Sequence, residues 1–204
     1  GQMCSLFELN VKNASAKFFD YQIQDEFLGY RDEKSFEFFL SVFNGADSEY
    51  LNFTLLYFLI TVNFLQHILK FVISGSPPTF FKMKFITLYH LASSLKKLQN
   101  YFYPKNVLSE RSKKYFRELL QDEELKLIGR QSDFRNALVH YEVKGLLDAD
   151  IDLTLKFYGL VEHYFAGRSY ESVDSILDIL LERVSLILEE WLNWNIKPSQ
   201  FLSW

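Results

Sequence analysis

The stretch from Ser48 to about Ile73 leaves this chain few options. Leu55, Leu56, Phe58, Leu59, Ile60, Val62, Phe64, Leu65, Ile68 and Leu69 put apolar side chains on nearly every side of the helix that such a run forms. A helix of that kind either crosses a membrane or packs among other helices. A span needs about 20 predominantly apolar residues, and Asn63, Gln66, His67 and Lys70 interrupt the second half of this one, where polar groups are costly in hydrocarbon. The run therefore reads as the central helix of a bundle, with no membrane partner. His67 reads as a hydrogen-bonded core or interface residue rather than a ligand.

The rest of the chain extends the helical pattern. With 21 Phe, 12 Tyr and 3 Trp against 8 Gly and 4 Pro, it has many bulky core fillers and few turn residues, which favours an all-α fold of long helices. Ser74-Gly75-Ser76-Pro77-Pro78-Thr79 is the clearest break. After it, Phe81, Phe85, Leu88, Leu91, Ala92, Leu95 and Leu98 mark a buried stripe with Lys96 and Lys97 on the wet side, and His90 lies off that stripe. Tyr101 to Pro104 ends this helix. Ser109 is the expected N-cap of the next, which carries Tyr115, Phe116, Leu119 and Leu120. Gly129 or the polar stretch to Ser132 punctuates the chain again, with Ser132 or Asp133 as N-cap. Gly145 to Asp150 reads as a loop, and Ile151 to Ala166 and Tyr170 to Trp194 as two amphipathic helices separated by Gly167.

The first 47 residues are less regular. Phe19, Tyr21 and Ile23 alternate with polar residues as in a strand, whereas Phe36, Phe39, Leu40 and Phe43 recur at helical spacing, with Asn44-Gly45 as a stop. The expected organisation is an N-terminal extension over 1–47, of mixed structure, and a helical domain over 48–204. The tail after Pro198 carries Phe201 and Trp204 as docking residues.

One cysteine, Cys4, rules out a disulfide framework or cysteine zinc site within a single chain. Together with the lack of a signal-like start, this points to a reducing, cytoplasmic location. Net charge is −4, which argues against a general nucleic-acid coat. The charge is uneven, however. Residues 1–69 hold 4 basic and 9 acidic side chains, residues 70–135 hold 13 and 6, and residues 136–204 hold 5 and 11. Lys113, Lys114, Arg117, Lys126 and Arg130 in the positive third are candidate RNA contacts if they converge, and a solvated helix face if they do not.

That positive third leads into Ser132-Asp-Phe-Arg-Asn-Ala-Leu-Val-His-Tyr-Glu-Val143. On a helix, Asn136 and His140 share one face, and Arg135 stands about 140° round from His140, so its long side chain can flank that face. One cation, one amide and one imidazole suit phosphodiester chemistry. Histidine moves protons near neutral pH, arginine grips phosphate with a planar fork, and an amide orients either. Residue by residue, the plain alternative is the better reading, with Arg135 capping a local carboxylate such as Asp133, Asn136 in a first turn and His140 satisfied in a core. The four histidines at 67, 90, 140 and 163 have no metal-ligand spacing, and no phosphate-binding glycine loop or nucleophile elbow occurs. No metal or other cofactor is expected. Glu162 and His163 read as surface or interface groups.

As a unit, Arg135-Asn136-Ala137-Leu138-Val139-His140 resembles the signature of the HEPN superfamily, an arginine, a polar residue and then a histidine after four to six positions. The resemblance extends from about Ser48 to Trp194. It implies a small helical bundle that pairs into a homodimer, bringing two motifs into one cleft. Many such proteins are metal-independent ribonucleases, often toxins with an antitoxin partner or anti-phage effectors, and others are inactive binding modules. Arg135, Asn136 and His140 are then the catalytic set, with Asp133, Tyr141 and Glu142 as auxiliary groups. In the branch silenced by nucleotide transfer onto a tyrosine, that tyrosine follows the histidine by two positions. Here Glu142 occupies that place and Tyr141 comes one early, which argues against that control.

Overall fold

The computed structural model of the chain describes residues 47–73, 75–145 and 151–192. The expectations for the first 46 residues, for the loop as far as Asp150 and for the tail with Phe201 and Trp204 lie outside them. The described residues are helical, with no strand among them.

The first helix, α1, runs Glu49–Phe64, passes through a π turn at Leu65–Leu69 and ends at Val72. Ser48 caps it, its hydroxyl accepting from the amide of Leu51 at 3.3 Å. Leu51, Leu55, Leu59, Val62 and Leu65 form an inner face that is at most 2 % exposed. The opposite face is open. Tyr50, Phe53, Tyr57, Ile60, Phe64, Ile68 and Phe71 are all exposed, so α1 flanks the bundle and is not its centre. His67 is exposed as well, which removes its core reading.

The centre is α2, Pro77–Phe102, which packs against α1 and four later helices. Helix begins inside the proline stretch, with Pro77 and Pro78 at its first two positions, where a missing N–H leaves no bond unmade. The predicted stripe from Phe81 to Leu98 is buried throughout. It also contains Lys84, 1 % exposed, whose Nζ lies 2.7 Å from both Asp174 and Asp178.

Helix α3, Glu110–Gln121, is capped by Ser109, whose hydroxyl accepts from the amide of Ser112 at 3.1 Å. Asp122 separates it from α4, Glu123–Arg130, by taking an extended backbone and capping α4 through the amide of Leu125 at 2.9 Å. The carboxylate of Asp122 also pairs with Arg183. Gly129 lies within α4 rather than between helices. A Cβ there would come 3.1 Å from that of Ala92, so the glycine permits close approach of α4 to α2. The break falls at Gln131, and α5, Ser132–His140, starts without a side-chain cap, contrary to the Ser132 or Asp133 expectation.

Ile151 to Ala166 is not one helix. A 3-10 turn at Lys156–Gly159 carries left-handed Phe157 and Tyr158, and only the five residues of α6, Leu160–Tyr164, are α-helical. The turn lets Phe157 fold onto the core, its ring 5.3 Å from Phe81. Gly167, at φ +81°, then ends the segment. The last helix, α7, is Tyr170–Trp191, capped by Ser169, and it packs on α1, α2 and α3.

One polar knot joins distant segments. The Asp47 carboxylate accepts from the amide and hydroxyl of Ser109 at 2.6 and 3.0 Å and from the hydroxyl of Ser112. The Ser112 hydroxyl in turn accepts from Nε1 of Trp191 at 2.7 Å.

Candidate functional site

Aromatic packing sets the position of α5. Phe134 is fully buried, edge-on to Phe85 at 4.7 Å and to Phe165 at 5.3 Å. Rings in that geometry are favourable beyond the area they bury. Ala137 and Leu138 complete the inner face of α5. Arg135, Asn136 and His140 are left toward the rim, the first two half-buried and the imidazole exposed.

These three side chains meet. Nη1 of Arg135 lies 2.9 Å from Oδ1 of Asn136 and 2.9 Å from Nε2 of His140. A guanidinium only donates, so both neighbours accept, and the imidazole proton belongs on Nδ1. The reach of the arginine closes the angular gap between positions 135 and 140. Its Nε–H is shielded from water and has no partner among the described residues. An unpaired buried donor is costly, by about 1–3 kcal/mol, so an oxygen acceptor would be favoured at this edge once the guanidinium turns outward to meet it.

The chain after α5 is tied down. Tyr141 takes a left-handed backbone at φ 57°, which ends the helix directly after His140. Its ring is 83 % exposed and faces Nζ of Lys82 at 5.4 Å. The Tyr164 hydroxyl donates to the Lys144 carbonyl at 2.9 Å. Glu142 pairs with Lys144 at 3.2 Å, and Asp133 is exposed at the start of the helix, so neither auxiliary carboxylate joins the three-residue cluster.

Helix α2 contributes a residue that motif reading alone misses. From α4 to the end of α5 the chain passes along α2, with Gly129 against Ala92, Phe134 against Phe85 and Tyr141 against Lys82. His90 lies on the stretch of α2 between the first two of these levels. His90 is solvent-exposed; partial desolvation by its packing on the helix surface, then the positive charges of Arg135 and Lys97, hold its imidazole below the ordinary histidine value. The signal in the sequence was a histidine off the buried stripe, 45 positions before the motif arginine. His163 is exposed and rests edge-on against Tyr164 at 4.8 Å, without contact to His140 among the described residues. Glu162 accepts instead from the amide of Tyr170 at 3.0 Å.

The five basic candidates do not form one free surface. Lys113, Lys114 and Arg117 lie on α3, and Lys126 and Arg130 on α4. Lys113 is paired with Glu110 and Lys126 with Glu123, each at 2.7 Å within its own helix. Lys114 lies over the Tyr115 ring, Arg117 donates to the Lys113 carbonyl, and Arg130 is exposed without an ion pair among the described residues. No group of three or more His, Cys, Asp and Glu is placed to hold a metal ion among those residues. No family model matches the chain, and neither does any curated protein or solved structure.

Proposed function

We propose that this chain is a HEPN-like endoribonuclease that works without metal as a homodimer, a toxin or anti-phage effector held in check by an antitoxin partner. The observation that carries the reading is the single guanidinium nitrogen of Arg135 that bonds both Asn136 and His140. It joins the only three residues of the motif that have phosphodiester chemistry to offer.

The arrangement supports a definite sequence of events. A scissile phosphate draws the guanidinium of Arg135 outward, away from His140, and then accepts from its Nε–H, a donor that lacks a partner among the described residues. Nε2 is then free to accept the proton of the 2′-hydroxyl. The O2′–P bond forms as the P–O5′ bond breaks, leaving a 2′,3′-cyclic phosphate and a 5′-hydroxyl. The proton returned to O5′ comes from the imidazole of the second copy, since one chain supplies a single motif. Arg135 offsets the charge gathering on the phosphoryl oxygens, and Asn136 fixes the guanidinium. DNA lacks the internal nucleophile and should survive.

Purified protein incubated with labelled RNA in excess chelator tests this directly. Wild type is expected to leave cyclic phosphate ends, and His140→Ala to lose on the order of 100-fold or more in rate. Cleavage unchanged in His140→Ala overturns the assignment. No cleavage of any RNA, with binding retained, makes the chain a HEPN-like binding module instead.

A further inference from the structure

The outer face of α1 is a second feature that asks for a partner. Tyr50, Phe53, Tyr57, Ile60, Phe64, Ile68 and Phe71 follow one another at steps of three and four along it, and with Val72 they are 45–63 % exposed. Monomeric proteins seldom leave so continuous an apolar strip in water. The helix is also long and apolar enough, by length and composition, to cross a membrane.

Lipid is the poorer occupant. Crossing a bilayer would require the inner face, from Leu51 to Leu65, to leave its packing against α2 and α7. It would also break the 2.6 Å hydrogen bond from the Ser185 hydroxyl to Oδ1 of Asn63. Helices that lie on a membrane surface rely on lysine and arginine beside the apolar strip, and from Tyr50 to Val72 the one such residue is Lys70.

A second copy fits better, on three grounds. The first is area. At roughly 200 Å² per aromatic side chain, the five partly exposed rings offer on the order of 600 Å² per chain. Ile60, Ile68 and Val72 bring the face close to the about 800 Å² per partner of a stable interface. The second is charge. A twofold pairing sets a surface against itself, and a strip with one basic side chain meets no like-charge conflict in doing so. The third is polar satisfaction. Thr54 and Thr61, beside the strip, turn their hydroxyls back to the carbonyls of Tyr50 and Tyr57 at 2.8 Å, so drying the surface strands no donor of theirs.

We infer that two copies of this chain pair along the outer faces of their α1 helices, with Phe53, Tyr57, Ile60 and Phe64 at the centre of the contact. The contact is independent of the ribonuclease reading, since α1 packs on α2 and α7 whereas the motif helix packs on α2 and α6. A twofold contact there puts two motifs in one particle, the copy number that the two-imidazole step needs.

Light scattering on the full chain, with Tyr57→Glu combined with Ile60→Glu, tests the inference. Both positions are exposed in a single chain, so the charges are solvated there and stranded only in the pair. Wild type is expected at twice the chain mass. The double variant is expected at the mass of one chain, with unchanged helix content by circular dichroism and pairing weakened on the order of 100-fold or more. Ile179→Glu with Leu186→Glu, two exposed positions on α7, should leave the dimer intact, as should His140→Ala. A monomeric wild type, a double variant that still pairs, or wild type that floats with phosphatidylcholine vesicles overturns the inference. Because mass and cleavage are separate readouts, a dimer that cuts no RNA defeats the ribonuclease reading alone, and a wild-type dimer that cuts RNA while the double variant still pairs defeats the α1 pairing alone.

Discussion

Nη1 of Arg135 donates to Nε2 of His140 at 2.9 Å, so the nitrogen that would accept a proton from RNA is occupied until the guanidinium moves. The same arginine nitrogen serves Asn136. Substitution by lysine keeps the charge but removes the fork, and lysine cannot hold an amide, an imidazole and a phosphate in one plane. Arg135→Lys should therefore lower the rate of RNA cleavage at least about 10-fold, with folding unchanged by circular dichroism. A rate equal to wild type would show that only the charge matters.

His90 should report on the motif from α2. Partial desolvation and the neighbouring Arg135 and Lys97 charges place its folded titration below the ordinary value of 6.5. Above that value the imidazole is neutral in folded and unfolded chains alike and has no effect on stability. As pH falls below 6.5 the unfolded chain takes up the proton first, so stability declines until the folded imidazole is protonated too. Proton NMR should find the His90 midpoint depressed, and Arg135→Gln should raise it part of the way, partial desolvation being the larger cause. A midpoint indifferent to Arg135 would separate the two residues.

Lys84 and its two acids should respond unequally to substitution. The lysine is 1 % exposed, while Asp174 and Asp178 are 31 % and 54 % exposed. Removing both acids strands a charge in the core, which should cost about 3–5 kcal/mol. Lys84→Met leaves two carboxylates that water can reach and should cost clearly less. Urea unfolding of the two variants checks the order, and equal losses would contradict it.

Phe134→Ala should remove the ring that seats α5 against Phe85 and Phe165. A loss of about 3–5 kcal/mol is expected for a fully buried phenylalanine. Cleavage should fall even where the variant is folded, because the motif loses its support. Phe134→Leu, which retains much of the volume, should recover most of both losses.

The helices that could be read from the chain are those whose burial follows one period. From Phe81 to Leu98 the stripe repeats without interruption, and Ser109 announces the next start through its own hydroxyl. The motif cluster was legible because Asn136 and His140 stand one turn apart and arginine is long enough to reach both. Lys84 was not, since a lysine beside a buried stripe resembles its wet edge, and its partners come 90 and 94 positions later. Ile151 to Ala166 keeps apolar residues at helical spacing through a turn, so periodicity alone could not show left-handed Phe157 and Tyr158. The expectation that α1 is the centre of the bundle failed for a related reason. Apolar residues on every side of a helix do not say whether its neighbours come from the same chain.

The knot of Asp47, Ser109, Ser112 and Trp191 bears on how the chain emerges from the ribosome. Its last member lies at the end of α7, the helix that also covers the inner face of α1. Between Val72 and Tyr170 lie close to a hundred residues, on the order of 5–20 s of synthesis. Once α2 has pushed it clear of the tunnel, α1 waits for the rest of that interval without the cover of α7 on its inner leucines and with its outer aromatics exposed, and neither Ser112 nor the bundle can close. Slower synthesis through α2 to α6 should therefore lengthen the exposure of α1 and lower the yield of folded protein.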